Sequence, residues 1–126
     1  MVLLDSSCLI AMLYDELGAS HVQEQLDEAS LLAVNLEETL MVLLRDGMPR
    51  DVARRTFDEL DIDVISYTAE MAWRSAEIQS VVRTRLSLAD RSCLAAAAIL
   101  GMPVLTADRA WSDVGPAFGV EVRLIR

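Results

Sequence analysis

The sequence predicts a three-layer α/β/α sandwich around a central five-stranded parallel sheet. Three observations lead there. Short runs such as Val2-Leu3-Leu4 and Ser30 to Val34 are almost wholly apolar instead of alternating, as strands buried on both faces of a parallel sheet are. Stretches with apolar residues at helical spacing separate these runs, which is the βα alternation of a parallel sheet covered on both sides. Finally, 126 residues with 53% hydrophobic content and mean hydropathy +0.33 suffice for one core, so residues 1–126 are expected to form a single domain.

The first strand ends on Asp5-Ser6-Ser7. A helix from Ser6 to Tyr14 follows, with Leu9, Ile10 and Leu13 at helical spacing, and Leu17-Gly18 breaks the chain before a second helix, Ala19 to Asp27. Ser30 to Val34 is the second strand. Asn35 and Glu38 have the spacing of a capping box ahead of the apolar helix Thr39 to Arg45. Gly47 ends that helix and Pro49 opens the next, Arg50 to Leu60, whose exposed face holds Arg50, Arg54 and Arg55. Ile62 to Ile65 is the third strand. The amphipathic helix from Thr68 to Val82 turns Met71, Ala72, Ser75, Ile78 and Val82 inward, and Trp73 and the methionines are assigned to packing. Ser87 caps a nearly apolar, buried helix that runs to Gly101, with Asp90 at the capping-box position. Pro103 to Thr106 and Val120 to Ile125 complete the five strands, and Trp111 to Phe118 between them is a short helix or turn.

Composition narrows the function classes. The longest apolar stretch, Cys93 to Leu105, is interrupted by Gly101 and Pro103 and is too short to span a bilayer, and the amino terminus lacks the basic flank of a signal peptide. A soluble, cytoplasmic protein with no membrane partner is expected. Cys8 and Cys93 each follow an acid by three residues inside an apolar helical pattern, which favours buried reduced thiols over a disulfide or metal site. His21, among Gln23, Glu24 and Gln25, is read as solvated surface. The net charge of −9 argues at first against a nucleic-acid partner. All 11 basic residues are arginine, so no mechanism can use a catalytic lysine.

Four acids fall where the alternation brings chain ends together. Asp5 and Asp108 follow strands, while Glu38 and Asp90 open helices, and in an open α/β sheet that carboxyl edge is where ligands bind. Each acid taken singly has a plain structural explanation: Asp5 as a strand-end cap, Glu38 and Asp90 as capping-box acids, Asp108 as a turn residue. Their joint placement has none, because several carboxylates in one cleft without a basic partner are costly unless a cation is bound.

The motifs Asp5-Ser-Ser, Asn35-x-x-Glu38, Ser87-Leu-Ala-Asp90-Arg-x-Cys and Thr106-Ala-Asp108 together resemble those of the PIN-domain nucleases. Chain length and motif order are similar to the VapC-type toxins of bacterial type II toxin–antitoxin systems, over essentially the whole chain. The resemblance implies a PIN-like sheet with its first strand in the middle and a Mg²⁺ or Mn²⁺ site that hydrolyses RNA. It carries the catalytic and metal-binding roles to Asp5, Glu38, Asp90 and Asp108, with Ser7 and Thr106 as polar supports. It further implies a homodimer and a cognate antitoxin protein. Glu37, beside Glu38, and Asp113 are the acids whose participation stays open, with a solvated turn the plainer account of Asp113.

Oxygen-only ligands suit a hard divalent cation. Such an ion would acidify an attacking water, and a second would stabilise the leaving oxygen. Asp5, Asp90 and Asp108 are then the principal ligands, with Glu38 acting through water or orienting the nucleophile. An acidic pocket neutralised by metal can still cut a polyanion if arginines grip the backbone, and Arg91 and Arg109 directly follow two of the acids; ordinary surface ion pairs would explain both equally well. Two alternatives belong to another class. A phosphotransfer receiver also binds Mg²⁺ at strand ends but needs a lysine and paired acids after its first strand, which this chain lacks. An inactive PIN scaffold would keep the acids and only bind a partner.

Overall fold

The computed structural model describes residues 1–126. Five parallel strands form one sheet: β1 (Val2–Leu4), β2 (Ala29–Leu32), β3 (Asp63–Ile65), β4 (Val104–Thr106) and β5 (Val122–Leu124). Their spatial order is β3-β2-β1-β4-β5, with β1 in the centre. In register, Leu4 lies beside Leu31 on one side and Leu105 on the other, so the strands end level at their carboxyl edge. That puts the residues following β1 and β4 next to one another.

The apolar runs are divided between the two faces by the period of two along a strand. Val2, Leu4, Leu31 and Leu105 face one core, which α1 (Ser6–Leu13) and α2 (Ala19–Gln25) cover with Cys8, Leu9, Ala11 and Val22. Leu3, Leu32 and Val104 face the other, beneath α5 (Ala69–Val81), α6 (Leu88–Leu100) and α7 (Trp111–Val114). Leu3 and Leu4 are both fully buried. Truncating either to alanine falls in the range of about 2–5 kcal/mol found for large-to-small core changes. β3 lies at an edge of the sheet, and its exposed Asp63 blunts that edge against pairing with another chain.

Helix termini follow the local signals at most positions. Asp5 caps α1, Thr68 caps α5 by accepting from the Met71 N–H, and Ser87 with Asp90 forms a complete capping box on α6. Gly101 ends α6 at φ +66°, a backbone conformation that costs glycine little. α4 (Arg50–Leu60) begins directly after Pro49, as expected.

Two expectations are corrected. α3 (Ala33–Arg45) starts well before Thr39, so β2 is shorter than expected and Asn35 and Glu38 lie inside the helix, not in a capping box. Leu32 occupies the cap position with no side-chain bond, because the Asn35 side chain is used between helices instead. Trp73, assigned to packing, is 74% exposed, and Met41 and Ala72 are exposed too. The inner face of α5 is Met71, Ser75 and Ile78; Trp73 follows Met71 by two residues, about 200° around the helix, and points away. Met71 and Met102 are buried as expected.

Both cysteines are free and buried, with Cys8 Sγ 3.0 Å from the Leu105 carbonyl oxygen. Burial pushes both thiols above their ordinary range, which keeps them protonated and unreactive. His21, expected on the surface, is half-buried on α2. No helix is long and apolar enough to cross a membrane.

Candidate active site

The residue that organises the carboxyl edge is Asp5. It leaves the end of β1 in extended conformation and is only 4% exposed. Its Oδ1 accepts from the Ser6 N–H at 2.8 Å, while its Oδ2 accepts from Ser7 Oγ at 2.7 Å and from Thr106 Oγ1 at 2.9 Å. Those hydroxyls are themselves held: Ser7 Oγ accepts from the Ala107 N–H and Thr106 Oγ1 from the Asp108 N–H, each at 3.0 Å. Asp5, Ser7, Thr106 and the turn bearing Asp108, all four expected at the site, are thus one network bridging β1 and β4.

Burial raises the Asp5 carboxyl from 3.8 to about 6; hydrogen bonds from Ser7 and Thr106 pull it down, and the charges of Asp90 and Glu38 push it up. Asp90, half-buried in the first turn of α6, is also raised, first by desolvation and further by the charge of Asp108, against the lowering effect of its bonds to Ser87. Glu38 is half-buried on α3, while its neighbour Glu37 is exposed, and Glu38 is the acid of this pair whose charge acts on Asp5. Asp113 is exposed on α7, and its charge is not among those that raise Asp5 or Asp90. None of the ion pairs in the structure involves Asp5, Glu38, Asp90 or Asp108.

The chemistry of the donor set fits a hard divalent cation: oxygen only, no counter-cation, and a buried carboxylate destabilised by its acidic neighbours. The side chains do not converge on a common point in this conformation, since no group of 3 such ligands stands ready around one position. Asp90 Oδ2 lies 3.4 Å from the Ser87 N–H, and Asp108 Oδ1 accepts from the Ala110 N–H at 3.0 Å, so both acids are engaged in their own turns.

The two arginines expected beside the acids differ. Arg91 is half-buried and donates from Nη1 to the Leu86 carbonyl oxygen at 3.0 Å, tying α6 to the loop before it, whereas Arg109 is exposed. Neither forms an ion pair.

Asn35, a cap and motif residue by its sequence context, has a different position in the fold. It is fully buried, and its Nδ2 donates to Ser6 Oγ at 3.2 Å and to the Ala89 carbonyl oxygen at 3.4 Å. It therefore pins α3, which carries Glu38, to the start of α1 beside Asp5 and to the start of α6 beside Asp90. Asn35→Ala is expected to cost about 1–3 kcal/mol by stranding buried acceptors, and it should weaken metal binding as well, because three acid-bearing helices lose their common tie. Chemical unfolding and a metal titration of the variant check both effects.

A parallel α/β/α sandwich with carboxylates gathered at the end of its central strand is the class of fold these observations define. The PIN domain family model matches residues 2–116, and the chain belongs to that family. Among solved structures, a toxin–antitoxin complex from Klebsiella pneumoniae is similar over 100% of this chain and 98% of its own, with TM-score 0.77 and 17% identity. DNA-bound VapBC from Salmonella typhimurium covers 100% of both chains at TM-score 0.78 and 14% identity. Mycobacterium tuberculosis VapC20, a sarcin–ricin loop cleaving toxin, covers 91% of this chain and 95% of its own at TM-score 0.74 and 16% identity. At such identities the likeness is one of fold, and it bears out the sandwich. No curated sequence relative matches.

Proposed function

We propose that the protein is a Mg²⁺- or Mn²⁺-dependent endoribonuclease and the toxin of a toxin–antitoxin pair. Asp5 carries this reading: a carboxylate almost wholly buried, raised to about 6, facing Asp90 and Glu38 with no cation paired to it. Membership of the PIN family supports the nuclease chemistry. Fold neighbours that are toxin–antitoxin complexes, and one that cleaves the sarcin–ricin loop, support the toxin assignment and the choice of RNA.

Asp5, Asp90 and Asp108 would hold the ion, with Glu38 binding through water or orienting the nucleophile. When bound, the ion supplies a water acidified towards neutrality and a positive charge for the phosphate and leaving oxygen. The chain's own residues do the positioning. Ser7 and Thr106 spend their protons on Asp5 Oδ2, which fixes that carboxylate and leaves a lone pair on Oδ1. Arg91 and Arg109 flank the acids as donors for backbone phosphates.

A cognate antitoxin would inhibit most economically by placing an arginine or lysine among the four acids. A homodimer fits the exposed apolar side chains of α3 and α5, Met41, Leu44 and Trp73. Free buried thiols suit the cytoplasm.

The test is cleavage of labelled RNA by the purified chain, freed of any partner. Cutting is expected with Mn²⁺ or Mg²⁺ and is expected to stop with chelator. Activity that persists in EDTA, or no cleavage of any RNA by metal-loaded protein, would overturn the assignment.

A further inference from the structure

A second feature lies beyond the acids. Between α5, the loop 82–87 and the first turns of α6 is an open cleft of about 890 Å³. Arg83, Arg85 and Arg91 all line it, in a chain whose net charge is −9 and which has no lysine. None of the three is engaged in an ion pair, so their charge is available. Tyr67 offers an aromatic surface on the wall. Ser75 underlies the cleft from the inner face of α5. Gln79 already has its partner, accepting at Oε1 from the Leu86 N–H, and so holds the loop over the cleft.

We infer that this cleft binds a nucleotide of the RNA strand beyond the scissile phosphate: Arg83, Arg85 and Arg91 take backbone phosphates and Tyr67 stacks a base. The inference rests on the ribonuclease reading and adds where the strand runs. Three features favour a nucleotide over a bare anion. The arginines span a cleft larger than one phosphate needs, an aromatic face is present, and the cleft adjoins the acidic edge, since Arg91 follows Asp90 and Leu86 and Leu88 flank the Ser87 cap. Stacking plus arginine contacts is the usual means of holding single strands.

The test separates strand binding from cutting. Binding of a fluorescent single-stranded RNA to the full chain is measured by anisotropy in EDTA, across a salt series. Arg83→Gln with Arg85→Gln is expected to weaken binding about tenfold near 0.1 M salt and to flatten the salt slope by about 1.4, because each phosphate contact on a single strand contributes about 0.7. Tyr67→Leu, which keeps apolar bulk and removes the ring, is expected to weaken binding at least fivefold with the slope unchanged, as loss of about 1 kcal/mol or more of stacking does. Arg54→Gln with Arg55→Gln on exposed α4 should change neither, and in metal the cleft variants should raise KM with kcat retained. If the wild type binds RNA and the Arg83/Arg85 variant binds as tightly, or the α4 control loses as much, the cleft is not the strand site although the ribonuclease reading stands. If the wild type neither binds nor cuts RNA, both fall together.

Discussion

Asp5→Asn is expected to abolish metal-dependent cleavage while making the metal-free protein more stable at pH 7. The loss of activity should exceed the roughly 10–100-fold that removal of an outer-shell partner costs at a metal site, because the charge at the centre of the acidic edge disappears. The gain in stability follows from the raised proton affinity of Asp5. In the fold its carboxyl takes up a proton near pH 6 and in the unfolded chain near 3.8. Between those values the folded state holds more protons, so stability falls as pH rises through the window and Asp5 weighs fully against folding above it. About two units at 1.36 kcal/mol each amount to something on the order of 3 kcal/mol.

Asparagine escapes that cost but reverses part of the network. Its Oδ1 still accepts from the Ser6 N–H, and its amide can donate to the lone pair that Ser7 Oγ and Thr106 Oγ1 each keep free, while both hydroxyl protons lose the acceptor they had, which costs about 1 kcal/mol or more. With the lost hydroxyl bonds offsetting part of that gain, the variant should melt about 4–8 °C above wild type at pH 7 in EDTA, at roughly 4 °C per kcal/mol for a chain of this size. Near pH 4 the advantage should be gone. An asparagine variant less stable at both pH values would make Asp5 a structural cap and nothing more.

The parallel sandwich was legible because its strands are short, apolar and regularly interleaved with helices, and few other architectures bury Val2 to Leu4 on both faces. Asp5 and Asp108 were legible for the same reason, since they follow strands that topology sets side by side, whereas Ser7 and Thr106 were named only through the family motifs. The place of Asn35 was not legible. Locally, Asn-x-x-Glu is a cap signal, and only the tertiary partners Ser6 and Ala89 turn the asparagine into a buried bridge and let α3 begin earlier. Trp73 shows the opposite error, since helical spacing already placed it away from Met71 and its apolar character overrode that geometry. The basic cleft draws on α5, a loop and α6, and its arginines are unremarkable until the fold sets Tyr67 and Ser75 beside them.

Mn²⁺ is expected to stabilise wild type far more than Asp90→Asn, although the two metal-free proteins should differ little. The structure gives Asp90 both roles that could have been alternatives. It closes the capping box with Ser87, and it is a half-buried acid raised by desolvation and by Asp108. Asparagine can still accept from the Ser87 N–H through its own oxygen, so the substitution forfeits only the charge–dipole contribution, about 0.3–1 kcal/mol. Relief of the repulsion from Asp108 offsets part of that loss. With metal at a hundred times the dissociation constant, wild type gains about 2.7 kcal/mol. If the variant binds about a hundredfold more weakly, the same concentration only half-saturates it and the gain shrinks to about 0.4 kcal/mol. Thermal melts with and without Mn²⁺ should therefore show a rise of about 10 °C for wild type and no more than about 2 °C for Asp90→Asn. Glu37→Gln, which removes an exposed charge beside Glu38, should retain the full rise and so exclude a general effect of acidity. Equal stability losses for Asp90→Asn in both conditions, with the Mn²⁺ gain intact, would leave Asp90 a cap and remove it from the metal site.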